Sequence, residues 1–277
     1  MTFETDSEAA SALLLPLAGH ELGHAVWRNR GIGGSANASI QASCENAFGK
    51  PMNLEEFKKQ FPEYNAEDIV YSQLLPEAIS RTATYAAFQA EELFCDMFAY
   101  ALFGESYLHA FAYILAPGSG VATGSRYPSH KKRIDVLRQI ATKEGMVLPE
   151  FSSLGLTDQQ MGGNPRERFL LKMAAFGVDE AVETLWTIVN SIVVDSNVRR
   201  PNPTNMARHL REIRMGIPAH DPACLGDIVN AGWAYFHELQ SGKIDSKSVG
   251  ERYDSLNEIM LKTIEVLEFG RRTSNDH

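Results

Sequence analysis

Two histidines and a glutamate near the start of the chain form the group of residues with the clearest chemistry. They lie in the segment His20-Glu-Leu-Gly-His24. Residues four apart on a helix project from one face, so His20 and His24 can give two nitrogen ligands to one zinc ion. Glu21 is rotated by about 100° from His20 around the helix, where its carboxylate can take a proton from a metal-bound water. The motif therefore predicts a hydrolytic centre with one Zn²⁺ per chain.

A second set of acidic residues interrupts the apolar segment 77–103. A helix that is apolar on all sides is buried, and a buried carboxylate is costly unless it is paired or binds a metal. Glu92 and Asp96 are four apart and share a face. We therefore expect Glu92 to be the third metal ligand, and Asp96 to accept a hydrogen bond from the second ring nitrogen of a ligating histidine. Glu91 lies about 100° away around the helix and remains the alternative third ligand.

The two segments together resemble the gluzincin metallopeptidases. They are most similar to the family of prenyl-protein endopeptidases and bacterial heat-shock membrane proteases. The likeness is carried by His20-Glu-Leu-Gly-His24 and, about 70 residues later, by Glu92-Leu-Phe-Cys-Asp96-Met-Phe-Ala. In that family the second glutamate is the third zinc ligand, and the aspartate four residues later orients a ligand histidine. The resemblance implies the same roles for Glu92 and Asp96.

A third segment, Tyr127-Pro-Ser-His-Lys-Lys-Arg133, supports the resemblance. The family has an H-P-x-x-x-x-R sequence that opens a helix, and its histidine and arginine lie near the reacting carbonyl. Pro128 and Arg133 keep this spacing, while Tyr127 stands where the family has histidine. The resemblance implies that Tyr127 or Arg133 stabilises the oxyanion, because a tyrosine hydroxyl can also donate to it. His130 is a second candidate for that role.

The resemblance covers about residues 10–140 and departs from the family in two ways. The sequence shows no counterpart of the membrane spans of that family. Only 19 residues precede His20, so we expect the edge strand that aligns an extended peptide in gluzincins to be missing or replaced. Residues 35–45 are small and polar with a weak alternation, and they could supply a substitute strand.

The remaining pattern predicts a mainly α-helical protein with at most a small β element. A zincin-like core in residues 1–145 would pack the H-E-x-x-H helix on the buried second helix, and a helical C-terminal region would fill residues 165–277. The first helix is expected to be buried, because Leu17, Leu22 and Val26 make it apolar. A loop through residues 118–124 is interpreted as a flap near the cleft, and 145–164 as a linker. Further helices are predicted at residues 53–60, 66–75, 107–115, 129–143, 166–177, 178–194, 204–214, 222–240 and 246–269.

Composition and charge exclude several classes of function. The 277 residues carry a net charge of −9, whereas nucleic-acid binding without sequence preference needs a dense cationic surface. No apolar run reaches the roughly 18 residues of a membrane span, and the acidic first residues do not form a signal peptide. We therefore expect a cytoplasmic protein. Cys44, Cys95 and Cys224 lack C-x-x-C spacing, which predicts small buried residues and neither disulfides nor a thiolate zinc site.

These observations favour a zinc-dependent endopeptidase that acts on a protein or peptide substrate. Glu21 would serve as general base and then as proton donor to the leaving amine. A first alternative is a catalytically silent, metallopeptidase-like regulatory protein whose C-terminal helices bind a protein partner. A second alternative is a helical structural protein in which the motif is fortuitous.

Overall fold

The computed structural model describes residues 11–115, 124–146, 163–242 and 249–275, and these ranges are mainly α-helical without a strand. The mainly α prediction is therefore confirmed. Short 3-10 helices lie at Ala12–Leu14 and Tyr71–Gln73. No helix in the described ranges is long and apolar enough to cross a membrane. The α-helices are α1 (Leu15–Asn29), α2 (Ile32–Gly49), α3 (Pro51–Gln60), α4 (Leu74–Phe103), α5 (Glu105–Leu115), α6 (His130–Lys143), α7 (Pro165–Asp195), α8 (Pro203–Arg214), α9 (Leu225–Gln240) and α10 (Val249–Asn275).

The prediction of a short strand at residues 35–45 is wrong, because this segment lies inside α2. Ile32, Ala36, Ile40 and Cys44 are buried at intervals of four residues, and this spacing places them on one face of a helix. Burial of this apolar face contributes more to the free energy of folding than the weak alternation of the small polar side chains between these residues.

The segment before α4 also differs from the prediction. Residues 66–70 are turns, and α4 begins only at Leu74. The Asp68 carboxylate accepts hydrogen bonds from the Val70 and Tyr71 amides at 2.8 and 3.3 Å. Such local hydrogen bonds compete with the helical ones, which explains why the predicted helix at 66–75 does not form.

The helices predicted at 166–177 and 178–194 are a single helix, α7. Gly177 does not end it. A Cβ added at Gly177 would lie 2.8 Å from Cys44 Sγ and 3.3 Å from the Ile40 carbonyl oxygen. Glycine is therefore placed here so that α7 can approach α2 closely, and it does not mark a helix end.

The described chain divides into two compact units, and the predicted division into 1–145 and 165–277 stays a prediction. The first contains Met1–Glu21, Phe98–Ile114 and Ile192–His277, and the second contains Leu22–Met97 and Leu115–Ser191. The boundary falls inside α1, α4 and α7, because each of these helices contributes one end to each unit. The predicted flap residues 118–123 and most of the predicted linker lie outside the described residues.

In the first unit, the 3-10 helix Ala12–Leu14 packs with α9 and α10. Leu13, Trp233 and Met260 are buried in one apolar cluster, and the Trp233 indole N–H donates to the Leu13 carbonyl at 2.9 Å. Asn230 donates to the Phe103 carbonyl at 2.6 Å. The Trp233 hydrogen bond thus attaches the first described residues to a helix more than 200 positions later, and the Asn230 hydrogen bond attaches the end of α4 to α9.

In the second unit, aromatic rings join α2, α3 and α7. The Phe48 ring lies 6.0 Å from the Phe57 ring and 5.7 Å from the Phe169 ring, both in edge-to-face geometry. In the same unit, the Trp27 ring of α1 lies 5.3 Å from the Phe94 ring of α4. Such pairs add stabilisation beyond the area they bury, and they fix the second half of α1 against α4.

Replacing Gly23 with alanine is expected to destabilise the protein by about 1–3 kcal/mol. A Cβ at this position would lie 2.8 Å from Cys95 Cα, so α1 and α4 would have to move apart. Chemical denaturation of both proteins measures the change in the free energy of unfolding. The control is Gly34→Ala on α2, where nothing lies within 4 Å of an added Cβ. That variant should be more stable by about 0.5–1 kcal/mol, and destabilisation by both variants would contradict the packing argument.

Candidate metal centre

Helix α1, which carries the H-E-x-x-H motif, is buried on one side only. Gly23 and Trp27 are buried, His20 and His24 are half-buried, and Glu21 is exposed. The expectation of a buried helix is wrong at Leu22, whose exposed fraction is 50%. The reason is that the glycine side of the helix, and not its leucines, makes the close contact with α4. The exposed position of Glu21 leaves its carboxylate open to water and to a substrate.

The His24 ring lies between two carboxylates of α4. Its Nδ1 is 2.9 Å from Glu91 Oε1, and its Nε2 is 3.7 Å from Glu92 Oε1. Glu92 is buried, whereas Glu91 is half-buried. Two ligands about 2.0–2.2 Å from a tetrahedral zinc are about 3.3–3.6 Å apart, so His24 Nε2 and Glu92 fit neighbouring positions on one ion. Glu91 holds the opposite edge of the ring, as carboxylates commonly do for zinc-bound histidines.

His20 lies one turn before His24 on α1. Ring nitrogens of the two histidines lie within 4.8 Å of each other. The buried hydroxyl of Tyr107 lies 3.4 Å from His20 Nδ1, on the side of the ring opposite to Nε2. Sequence reasoning did not identify Tyr107. The available signal was weak, because a tyrosine in an apolar helix indicates only that its hydroxyl needs a polar partner.

Asp96 and Arg133 form a buried ion pair between α4 and α6. Arg133 Nε donates to Asp96 Oδ2 at 2.7 Å, and Nη2 donates to Oδ1 at 2.6 Å. Bidentate arginine–carboxylate pairs are strong and directional. The guanidinium that was expected near the reacting carbonyl is thus engaged with Asp96. The hydrogen bond predicted from a ligating histidine to Asp96 stays a prediction.

Tyr127 lies in the loop before α6 with an exposed fraction of 46%. The Gly124 amide donates to its carbonyl at 3.0 Å, and Gln89 of α4 donates to the Gly124 carbonyl at 2.9 Å. The loop is therefore attached to α4, on the helix that carries the acidic residues. His130, the second candidate for oxyanion stabilisation, is buried in the first turn of α6. The oxyanion role of either residue stays a prediction.

Cys95 adds a sulfur atom to this part of the second unit. It is fully buried, and its Sγ lies within 4.8 Å of a ring nitrogen of His24. Burial, followed by the nearby charges of Asp96 and Glu92, raises the pKa of the Cys95 thiol well above its ordinary value. The prediction of small buried cysteines is confirmed for Cys44 and Cys95, whereas Cys224 is half-buried.

Comparisons with known proteins give no information about the function of this site. No protein-family model, no curated protein and no solved structure matches the chain. The resemblance to gluzincins therefore depends on the motifs in residues 20–24, 92–96 and 127–133 and on the contacts among their side chains.

Proposed function

We propose that the protein is a zinc-dependent metalloendopeptidase that binds one Zn²⁺ through His20, His24 and Glu92. The arrangement around His24 carries the proposal. One edge of its ring meets Glu91 at 2.9 Å, while the other edge faces the buried carboxylate of Glu92. A half-buried histidine between two carboxylates is typical of a metal ligand with an outer partner.

Each side chain of the site has a separate role in peptide hydrolysis. Zinc, when bound, would act as a Lewis acid and would make a coordinated water molecule nucleophilic near neutral pH. The Glu21 carboxylate accepts the proton of that water and then gives it to the leaving amine. Glu91 and Tyr107 hold the histidine rings. Tyr127, on its exposed loop, is the proposed donor to the oxyanion of the tetrahedral intermediate, and the substrate is a protein or peptide.

Metal analysis of protein purified without added metal tests this proposal directly. We expect about one zinc per chain, as for a site formed by three protein ligands. His24→Ala should lose the metal, because it removes one ligand and disconnects Glu91. His220→Ala is the control, since this histidine is exposed and lies in the loop between α8 and α9. Zinc below about a tenth of an ion per chain, not restored by adding zinc, would favour the structural-protein alternative.

Burial of Arg133 against Asp96 favours a second candidate function. With its guanidinium engaged at 2.6–2.7 Å, Arg133 does not serve as a ready oxyanion donor. A regulatory protein could keep the metal centre without cleaving peptides and bind a protein partner through α8, α9 and α10. Incubation of the zinc-loaded protein with a peptide library distinguishes the two. Cleavage that a chelator abolishes supports the peptidase, and its absence in fully zinc-loaded protein supports the regulatory function.

A further inference from the structure

The position of Cys95 gives the candidate metal centre a fourth protein donor. Its Sγ lies 3.1 Å from where a Cβ of Gly23 would stand, so the thiol faces α1 at the residue before His24. The same sulfur lies within 4.8 Å of a His24 ring nitrogen. A zinc–sulfur bond of about 2.3 Å and a zinc–nitrogen bond of about 2.0–2.1 Å place the two ligand atoms about 3.6 Å apart in a tetrahedral site. The upper limit of 4.8 Å on the present separation is compatible with binding of both atoms to one ion.

We propose that Cys95 coordinates the same zinc as His20, His24 and Glu92, so that the resting centre is closed by four protein ligands. This inference rests on the proposed metal site and concerns its regulation. The thiol proton leaves to solvent as zinc binds, and the thiolate sulfur donates its electron pair to the metal. A thiolate is a softer donor than nitrogen or oxygen. Coordination by Cys95 therefore shifts the preference of the site toward Zn²⁺ and Cd²⁺ and away from Mg²⁺ or Mn²⁺.

Coordination by a fourth protein ligand slows peptide cleavage. Structural zinc sites have four protein ligands, whereas catalytic sites keep one position for water. With Cys95 bound, the hydrolytic water enters only after the sulfur has left. The resting protein would therefore hold its zinc firmly and cleave slowly. Removal of the sulfur opens the position and makes cleavage faster.

X-ray absorption spectroscopy of the zinc-loaded full chain tests the ligand set without any need for activity. We expect one sulfur neighbour at about 2.3 Å beside nitrogen and oxygen neighbours at about 2.0–2.2 Å. Cys95→Ala should lose the sulfur shell, and its Cd²⁺ affinity should fall by more than the roughly 10–100-fold that loss of an outer partner costs. The matched control is Cys44→Ala, a buried cysteine beside Gly177, which should keep the sulfur shell. Cleavage by Cys95→Ala should be severalfold faster than by the wild type.

The outcomes separate this inference from the proposed function. One zinc with only nitrogen and oxygen neighbours in the wild type overturns coordination by Cys95 and leaves the metallopeptidase proposal standing. Absence of zinc from the wild type overturns both. If Cys95→Ala does not fold, the wild-type spectrum still decides, because Cys95 is the only cysteine close to the histidine motif among the described residues. A sulfur shell together with unchanged cleavage in Cys95→Ala overturns the closed resting state.

Discussion

Replacement of Glu21 with glutamine is expected to leave zinc in the protein and to lower kcat/KM by a factor of about 10²–10⁴. Glutamine keeps the size of the side chain but cannot accept a proton. Glu21 is exposed on α1 and follows His20 in the chain, and it is not one of the proposed metal ligands, so these should not change. Zinc content and the cleavage rate of an unfolded protein substrate, with and without a chelator, are measured on the same preparation.

The control for this variant is Glu180→Gln, an exposed glutamate on α7. It makes the same change of charge and should leave both zinc content and cleavage at wild-type levels. Retained turnover in Glu21→Gln would refute the mechanism. Loss of zinc together with turnover would show instead that Glu21 acts on the metal ligands and not on the water.

Replacement of Arg133 with methionine is expected to lower the free energy of unfolding by about 3–5 kcal/mol. The change leaves the buried Asp96 carboxylate without the cation that binds both of its oxygens. Removal of one partner from a buried ion pair costs more than the pair itself contributes, because the remaining charge stays out of water. Urea denaturation followed by circular dichroism measures the difference.

Lys132→Met provides the matched comparison on the neighbouring position of α6. Lys132 forms an ion pair with Asp179, but both side chains are substantially exposed, and exposed pairs contribute about 0–1 kcal/mol. The two variants remove the same charge one residue apart. Equal losses of stability would mean that burial of the Asp96–Arg133 pair does not determine its contribution.

The sequence predicted most helices because their apolar spacing and end signals are local. The segment 129–143 is one example: Ser129 caps α6 by accepting from the Lys132 amide at 3.1 Å, and Ile134 and Leu137 are buried as predicted. The errors arose where packing overrides local preference. Gly177 looked like a boundary, yet it is a contact point within α7.

The candidate site was predictable in part for the same reason. Helical spacing alone gave the pairing of His20 with His24 and the choice of α4 as the source of carboxylates. It could not show whether Glu91 or Glu92 faces which nitrogen of His24, because that depends on side-chain rotamers and on the crossing of α1 over α4. The Asp96–Arg133 pair, 37 residues apart in the chain, depends on the packing of α6. The proximity of Cys95 depends on the missing side chain at Gly23.

The division of the chain into units assembled from distant segments has a consequence for synthesis in the cell. Leu13 is synthesised more than 200 residues before Trp233 and Met260, with which it is buried. At roughly 5–20 residues per second, this delay is on the order of ten seconds or more. Throughout that interval the apolar turn before α1 lacks the Trp233 and Met260 side chains that bury it in the native protein. We expect nascent chains to be bound there by chaperones, while Leu22–Met97 and Leu115–Ser191 can already fold together.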